Sequence, residues 1–167
     1  MTIYMHDIRR NSKENQEKVS PYCPNKSKAA YTLSLMDRTE RGETIECCVA
    51  DMIQEKTGYQ ATATIHNAEW DITVDIPDGP VRVEVKSSLL KDNYQFQGIK
   101  VKNFDYLVIV FVTPRGTIEK WATTEDLQEF FSNGNGGKRQ AHGRTISMSV
   151  HTIPDFFQEM EDFPYEN

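Results

Sequence analysis

The strongest structural signal in the chain is the stretch 71–87, DITVDIPDGPVRVEVKS. Its middle, Ile76-Pro77-Asp78-Gly79-Pro80, combines the residue types that favour tight turns. Residues typical of β-strands lie on both sides of this turn, over 69–76 and 81–87. The sequence therefore predicts a β-hairpin.

The register of this hairpin determines which polar side chains meet. Pairing that is symmetric about Asp78-Gly79 places Asp71 opposite Lys86. Alternate residues of a strand share a face, so Glu84 and Lys86 point the same way, and cross-strand partners share that face as well. We therefore expect Asp71, Glu84 and Lys86 to converge on one side of the sheet. The opposite side carries an apolar stripe formed by Val81, Val83 and Val85.

Two carboxylates beside a lysine suit metal-assisted hydrolysis of a phosphodiester. Carboxylate oxygens are hard ligands of the kind that Mg²⁺ prefers, and bound Mg²⁺ activates water and neutralises charge on a phosphate. We predict that Asp71 and Glu84 bind Mg²⁺ together with the main-chain carbonyl of Val85. The ammonium group of Lys86 would orient the attacking water or stabilise the transition state. The alternative is a surface hairpin with an inconsequential ion pair between Asp71 and Lys86.

An amphipathic helix is predicted immediately before the hairpin, over 40–57. Its apolar residues follow the helical i, i+3, i+4, i+7, i+8 pattern and comprise Ile45, Cys48, Val49, Met52 and Ile53. Gly58 is well placed to end this helix in a left-handed conformation. Glu46 lies at the edge of the apolar stripe, so we expect it to reach the rim of the catalytic site, near the metal ligands or a second metal.

The remaining elements follow from apolar periodicity and turn residues. The predicted segments are a helix over 26–37, a strand over 59–66, a strand buried on both faces over 105–112, a strand over 117–121, a helix capped by Thr123 or Thr124 that ends near 131, a glycine-rich basic loop over 132–144, a strand over 145–150 and a final helix from Pro154. This order predicts an α/β protein with a mixed β-sheet flanked by helices. No internal boundary is visible, so we expect residues 1–167 to form a single domain, with 1–25 as an N-terminal arm.

Composition limits the compartment and the partners. The 167 residues contain no apolar run long enough to span a bilayer, and the first residues lack the pattern of a secretory signal. Three cysteines, two of them adjacent, do not suggest a disulfide framework. We therefore expect a cytoplasmic protein without membrane contact.

The net charge of −6 hides an uneven distribution. Residues 82–120 contain seven basic and four acidic residues, and residues 132–151 contain three basic residues and no acid. The last segment, 152–167, contains five acids and no base. A polyanion could therefore bind one surface of the protein while the acidic segment lies on another.

Together these features resemble the PD-(D/E)XK nuclease superfamily, and type II restriction endonucleases within it look closest. The resemblance covers roughly residues 40–122: Glu46 on a helix, Asp71 before a turn, Glu84-Val85-Lys86 on the next strand and then the buried strand. Trp70 stands where the motif has proline. The resemblance implies a restriction-endonuclease-like core and a homodimeric enzyme that cleaves double-stranded DNA at specific sequences. It also implies dependence on Mg²⁺, replaceable by Mn²⁺, and products with 5′-phosphate and 3′-hydroxyl ends.

Two segments are candidate DNA contacts, in which cations would bind phosphates and amides would read base edges. In the restriction enzymes that this chain resembles, the stretch after the catalytic lysine approaches DNA, which here comprises Lys91, Asn93, Gln95, Gln97, Lys100 and Lys102. The glycine-rich loop offers Lys138, Arg139, Gln140, His142 and Arg144. For each segment the alternative is a solvated loop.

Other functions stay open at this point. The same core serves structure-specific nucleases such as Holliday-junction resolvases, repair nickases and homing endonucleases. A non-catalytic DNA-binding module is the alternative from a different class, although pure binding gains nothing from two carboxylates facing a phosphate.

Overall fold

A computed structural model describes residues 32–64, 69–89, 93–113, 116–139 and 143–165, which form two sheets and two principal helices. In chain order the elements are α1 (Arg38–Thr57), β1 (Ala61–Ala63), β2 (Ile72–Ile76), β3 (Gly79–Leu89), β4 (Asn93–Ile99), β5 (Tyr106–Thr113), β6 (Gly116–Thr123), α2 (Thr124–Ser132), β7 (Gly137–Arg139), β8 (Gly143–Ser149), β9 (Gln158–Glu159) and a 3₁₀ turn (Met160–Asp162). The predicted α/β class is confirmed.

The larger sheet has the strand order β1-β2-β3-β5-β6-β9. Strands β3 and β5 pair in parallel, whereas the other neighbours are antiparallel, so the sheet is mixed as predicted. Strand β5 lies between β3 and β6, and its residues 107–112 are buried. This confirms the prediction of a strand covered on both faces, which is typical of an almost continuous apolar run.

Each face of the larger sheet packs against a separate core. Helix α1 covers one face, where its buried residues Ile45, Val49 and Ile53 meet Val83 and Val85 of β3. Helix α2 and a second sheet cover the other face, with a core that includes Phe96, Leu107, Ile109, Leu127 and Ile146. Because Glu84 and Lys86 alternate with the valines, both belong to the face that the second sheet covers.

The ends of the helices are fixed by local hydrogen bonds, and the sequence indicated two of the residues involved, Gly58 and Thr123. Gly58 ends α1 in the left-handed conformation, with φ of 73°, as predicted. Asp37 begins α1 by accepting hydrogen bonds from the main-chain N–H groups of Thr39 and Glu40. Thr123 caps α2 and forms a reciprocal capping box with Asp126. The first and last residues of α1 and the beginning of α2 are therefore set by local hydrogen bonds.

The register of the hairpin differs from the prediction by two residues. Ile76 pairs with Gly79 and Ile72 pairs with Val83, so the turn contains only Pro77 and Asp78. The pairing ends at Ile72, and the N–H of Asp71 donates to the carbonyl oxygen of Val83, the partner of Ile72, so Asp71 does not continue this register. A shift of two residues leaves every side chain on its original face, because side chains alternate along a strand with a period of two.

A second sheet has the strand order β4-β8-β7. It includes one segment that we expected to be a loop and one that the sequence left unassigned. The expected basic loop over 132–144 contains β7 and the beginning of β8, which pair as a hairpin. A Cβ atom at Gly136 would come within 2.6 Å of the Thr145 carbonyl oxygen, so glycine permits close packing there and does not merely provide a flexible loop. Strand β8 also pairs with β4, which lies in the segment that the sequence left unassigned between β3 and β5.

The predicted helix from Pro154 is wrong. The described chain continues from Pro154 into β9 and the 3₁₀ turn. Strand β9 pairs with the edge of β6, and the buried residues divide between the two cores, with Phe157 in one and Met160 and Phe163 in the other. An amphipathic α-helix would direct its apolar side chains to a single core.

Two expectations on the first part of the chain lie largely outside the described residues. The N-terminal arm over 1–25 is not described, and of the predicted helix over 26–37 only its later part is, in which residues 32–34 are helical. Within the described residues, no helix combines the length and apolar character required to cross a membrane.

Candidate active site

Asp71 is held in place by main-chain hydrogen bonds on both sides. Its N–H donates to the carbonyl oxygen of Val83 at 3.0 Å, and its own carbonyl accepts from the N–H of Thr64 at 2.7 Å. Asp71 therefore precedes β2 and is tied to the neighbouring segments on both sides. Its charge acts on the carboxyl group of Glu84, so the two carboxylates lie near each other.

The carboxylate of Asp71 reaches across to β3. Its Oδ2 accepts a hydrogen bond from the N–H of Val85 at 2.7 Å. On β3 itself, the ammonium group of Lys86 donates to Oε1 of Glu84. The remaining oxygens, Oδ1 of Asp71 and Oε2 of Glu84, accept no hydrogen bond from another residue in the described segments, so one carboxylate oxygen on each strand is available as a ligand.

Burial distinguishes the members of this cluster. Glu84 is only 9% exposed, whereas Asp71 and Lys86 are intermediate. Burial raises the pKa of Glu84, and the negative charge of Asp71 raises it further, while the positive charges of Lys86 and Lys100 lower it. The carboxylate of Glu84 is therefore a costly charge in this position, partly compensated by two lysines.

Glu46 joins the cluster from α1, as the sequence predicted for a residue at the edge of the apolar stripe. Burial raises the pKa of Glu46 to about 7, and the negative charge of Asp71 adds to the effect. Glu84 acts in the same direction, whereas Lys86 opposes it. Three carboxylates on three elements therefore repel one another across one small region.

A cleft of about 500 Å³ opens beside Lys86. One wall is β4, with Tyr94, Gln95, Phe96 and Gln97, and the other wall is the first turn of α1, with Arg38, Arg41 and Gly42. The ammonium group of Lys86 thus lies between a cationic wall and an amide-bearing wall. This geometry gives an extended anion access to the lysine.

The sequence analysis did not single out Arg38 and Arg41. One signal was present in the sequence: cations in the first turn of a helix oppose its dipole, which favours acidic residues there. Two arginines at such a place therefore need a compensating reason. Their position beside Lys86 follows from the way α1 packs on the sheet, which the local pattern does not contain.

The predicted DNA-contact residues after Lys86 fall into three groups. Gln95 and Gln97 are exposed and line the cleft, where Nε2 of Gln97 donates to Oε1 of Gln95 at 3.1 Å. Lys100 is exposed and acts electrostatically on Glu84. Lys102 lines a different cavity, of about 840 Å³, together with Arg82.

Both predicted sets of contacts are only partly described. Of the first set, the main chain of Asn93 lies in β4 and Lys91 lies outside the described residues. Of the second set, the main chain of Lys138 and Arg139 lies in β7, and Gln140 and His142 lie outside the described residues. Arg144 is engaged within the protein: its guanidinium lies over the ring of Phe131, at 4.9 Å from the ring centre, and donates to the Phe131 carbonyl oxygen at 3.3 Å.

These elements define a mixed α/β protein whose central hairpin presents two carboxylates and a lysine beside an open cleft. No protein-family model matches the chain, and no curated protein matches it in sequence. Among solved structures, the chain is similar to the bacterial homing endonuclease I-Ssp6803I, with 18% identity and a TM-score of 0.44, over 68% of this chain and 77% of that chain. A likeness at this level does not assign an activity to the chain.

Proposed function

We propose that the chain is a Mg²⁺-dependent endonuclease that hydrolyses phosphodiester bonds in double-stranded DNA. The observation that supports the proposal is the proximity of Asp71, Glu84 and Lys86 at the central hairpin, next to a cleft that an extended anion can enter. A purely structural ion pair would not require the additional carboxylates of Asp71 and Glu46 at the same place.

The donor set suits a hard divalent cation. In the described ranges, no three His, Cys, Asp or Glu side chains are grouped so that they alone could hold a metal ion. We therefore assign the ligands as one oxygen each from Asp71 and Glu84 with the main-chain carbonyl of Val85, and water in the remaining positions, as is usual for Mg²⁺. Mn²⁺ would bind the same oxygens. The crowding of carboxylates that raises the pKa of Glu84 and Glu46 favours a cation at this point.

When bound, Mg²⁺ supplies Lewis-acid activation of water and of the phosphate. The residues of the chain do the rest. Lys86, in its position at the cleft, orients the attacking water or stabilises the negative charge of the transition state. Lys100 and the exposed amides of Gln95 and Gln97 contact the duplex, the first through phosphate and the others through base edges.

Site-specific cleavage of the restriction type and a homodimer extend this proposal. Two symmetric catalytic centres would cut both strands of a site that has twofold symmetry. A sequence-specific enzyme yields fixed fragment ends on plasmid DNA, whereas a structure-specific nuclease cuts four-way junctions in preference to linear duplex. End mapping on both substrates distinguishes the two.

The central test is cleavage of supercoiled plasmid in Mg²⁺ by the wild type and by Lys86→Ala. We expect the rate to fall about 10²–10³-fold, the usual effect of removing one group that stabilises transition-state charge. Lys56→Ala is a matched control, because Lys56 lies in the last turn of α1, far from the cleft. This variant should cleave like the wild type. Equal cleavage by Lys86→Ala and the wild type would overturn the proposal.

Metal binding separates an enzyme from a non-catalytic DNA-binding module. Calorimetric titration with Mg²⁺ or Mn²⁺ should give saturable binding to the wild type, and Asp71→Asn should weaken it at least about tenfold, because one charged ligand is lost. Asparagine keeps the acceptor for the Val85 N–H, so the hairpin should remain folded. Equal binding to both proteins would remove Asp71 from the metal site.

A further inference from the structure

We propose that Arg38 and Arg41 form a phosphate clamp, which binds a phosphate of the DNA strand in the cleft beside Lys86. This inference rests on the proposed function, since it takes the ligand of the cleft to be DNA. It assigns a binding role to the first turn of α1, a segment that the catalytic cluster does not use.

The first observation is the placement of the two guanidinium groups. Arg38 and Arg41 line the same cleft as Lys86, on the wall opposite Gln95 and Gln97. Arg38 is exposed and Arg41 is intermediate. Gly42, between them and Glu46, also lines the cleft, and its lack of a side chain leaves the space open there.

The second observation is that neither guanidinium group has a side-chain partner within the described segments. Neither arginine forms an ion pair or side-chain hydrogen bond with another residue of the described segments. The nearby Asp37 is engaged as the cap of α1, where Oδ1 accepts the N–H groups of Thr39 and Glu40 at 2.8 and 2.9 Å. The carboxylate that begins the helix therefore already serves the main chain.

The third observation is the electrostatic cost of the arrangement. The N-terminal end of an α-helix carries partial positive charge, which repels the two arginines of this first turn, where Glu40 is the acidic residue. An anion that binds between them relieves this repulsion. Because a guanidinium group offers a planar fork of donors, it matches the oxygens of a phosphate in a way that an isolated ammonium group does not.

The architecture also limits which phosphate is held. Lys86 lies on β3 and the arginines on α1, on separate elements that both border the cleft. A strand whose reacting phosphate lies at Lys86 would place a neighbouring phosphate against the first turn of α1, while its bases face β4. The clamp would thus fix the direction of the strand across the catalytic cluster, and the arginines contribute binding and not chemistry.

The test is the salt dependence of DNA binding in EDTA, measured by fluorescence anisotropy on a fluorescein-labelled mixed-sequence duplex. Each phosphate contact contributes about 0.9 to the slope of log K against log salt concentration. The double variant Arg38→Ala/Arg41→Ala loses the one phosphate that the clamp holds and should therefore lower the magnitude of the slope by about 0.9. Arg38→Lys/Arg41→Lys retains both charges and should keep the slope of the wild type. Lys56→Ala removes a charge from the same helix, about 27 Å away along its axis, and should also keep it.

The outcomes separate this inference from the proposed function. If the wild type cleaves plasmid and the alanine double variant has the slope of Lys56→Ala, the clamp is overturned while the nuclease stands. If the wild type binds DNA with the expected loss of slope in the double variant but never cleaves, the clamp is supported and the catalytic proposal fails. Absence of DNA binding by the folded wild type overturns both. Circular dichroism on each variant confirms that α1 is intact.

Discussion

Strand β3 carries two ion pairs on one face, and they differ in how well their charges are balanced. Arg82 meets Asp105 through two side-chain hydrogen bonds, of 2.9 and 3.1 Å, and a main-chain bond of 2.8 Å. Burial raises the pKa of Asp105, but the hydrogen bonds from Arg82 outweigh it, so the pKa lies below its usual value. The charges of this pair are balanced, because one carboxylate is paired with one guanidinium group.

Glu84 and Lys86, farther along the same strand, form a pair whose charges are not balanced, because further carboxylates lie close to it. Burial raises the pKa of Glu84, and the carboxylate of Asp71 raises it further despite the lysine beside it. Glu46 adds a third acid. The difference shows that the groups around an ion pair indicate its role. A pair with balanced charges connects strands. An excess of carboxylates around a lysine favours the binding of an external cation, which supports the proposed Mg²⁺ site.

Glu84→Gln, which removes the charge of the second pair, should have the largest effect on activity among the substitutions considered. The substitution keeps the shape and an acceptor for Lys86 but removes a charged ligand, so we expect plasmid cleavage in Mg²⁺ to fall about 10²–10³-fold. It also relieves the repulsion with Asp71, and the free energy of unfolding at pH 8, from urea denaturation, should rise by about 1 kcal/mol.

The matched control for this substitution is Glu159→Gln. Glu159 forms an ion pair with Lys120 at the edge of the larger sheet, and its side chain is 57% exposed. The Glu159→Gln variant should change neither cleavage nor stability appreciably, because exposed ion pairs contribute little. Cleavage at the wild-type rate by Glu84→Gln would show that the excess of carboxylates around Lys86 does not contribute to catalysis.

Arg82→Ala should give the reverse result at the first pair. We expect the free energy of unfolding to fall by about 1 kcal/mol, a value reduced for the partial exposure of both side chains, while cleavage stays at the wild-type rate. The stability of Arg82→Lys should lie between those of the wild type and Arg82→Ala, because lysine keeps the positive charge but loses the two-donor geometry of the guanidinium group. A loss of cleavage in folded Arg82→Ala would contradict the division between a structural and a catalytic pair.

The sequence sufficed to place Glu84 and Lys86 together because alternation of side chains along a strand does not depend on the exact register. The predicted register was wrong by two residues, yet Glu84 and Lys86 share a face of β3 in either register. Asp71 lies beside them because its carboxylate accepts from the N–H of Val85. Helix α1 and strand β5 were predicted for a similar reason: each has a strong local period or a continuous apolar run. The position of Glu46 followed from the same helical period.

The parts that the sequence did not reveal depend on contacts between distant segments. Strand β4 becomes a strand of the second sheet by pairing with β8, about fifty residues farther along, and neither segment alone indicates this partner. The same holds for the cationic wall of the cleft, because Arg38 and Arg41 acquire their place only when α1 packs on β3. The matched pair of Arg82 and Asp105 likewise needs the parallel pairing of β3 and β5.

The smallest of the expected effects is the pH dependence that Glu46 gives to stability. Its pKa in the folded protein is about 7, against 4.5 in the unfolded chain, so the folded state binds the extra proton between these values. Stability should therefore fall as the pH rises through this window. Because the side chain is only half-buried, we expect a loss of roughly 1 kcal/mol between pH 5 and pH 8.

Glu46→Gln should flatten this part of the profile, measured by urea denaturation across the same range. Asp105 provides the opposite sign for comparison: its lowered pKa contributes stability above the usual value of 3.8, which is lost only as the pH falls further, outside the window tested. Parallel profiles for the wild type and Glu46→Gln would show that Glu46 is not part of the acidic surplus. A flattened profile in the variant would attribute that surplus to three carboxylates on α1, β3 and the residue before β2, and not to the pair on β3 alone.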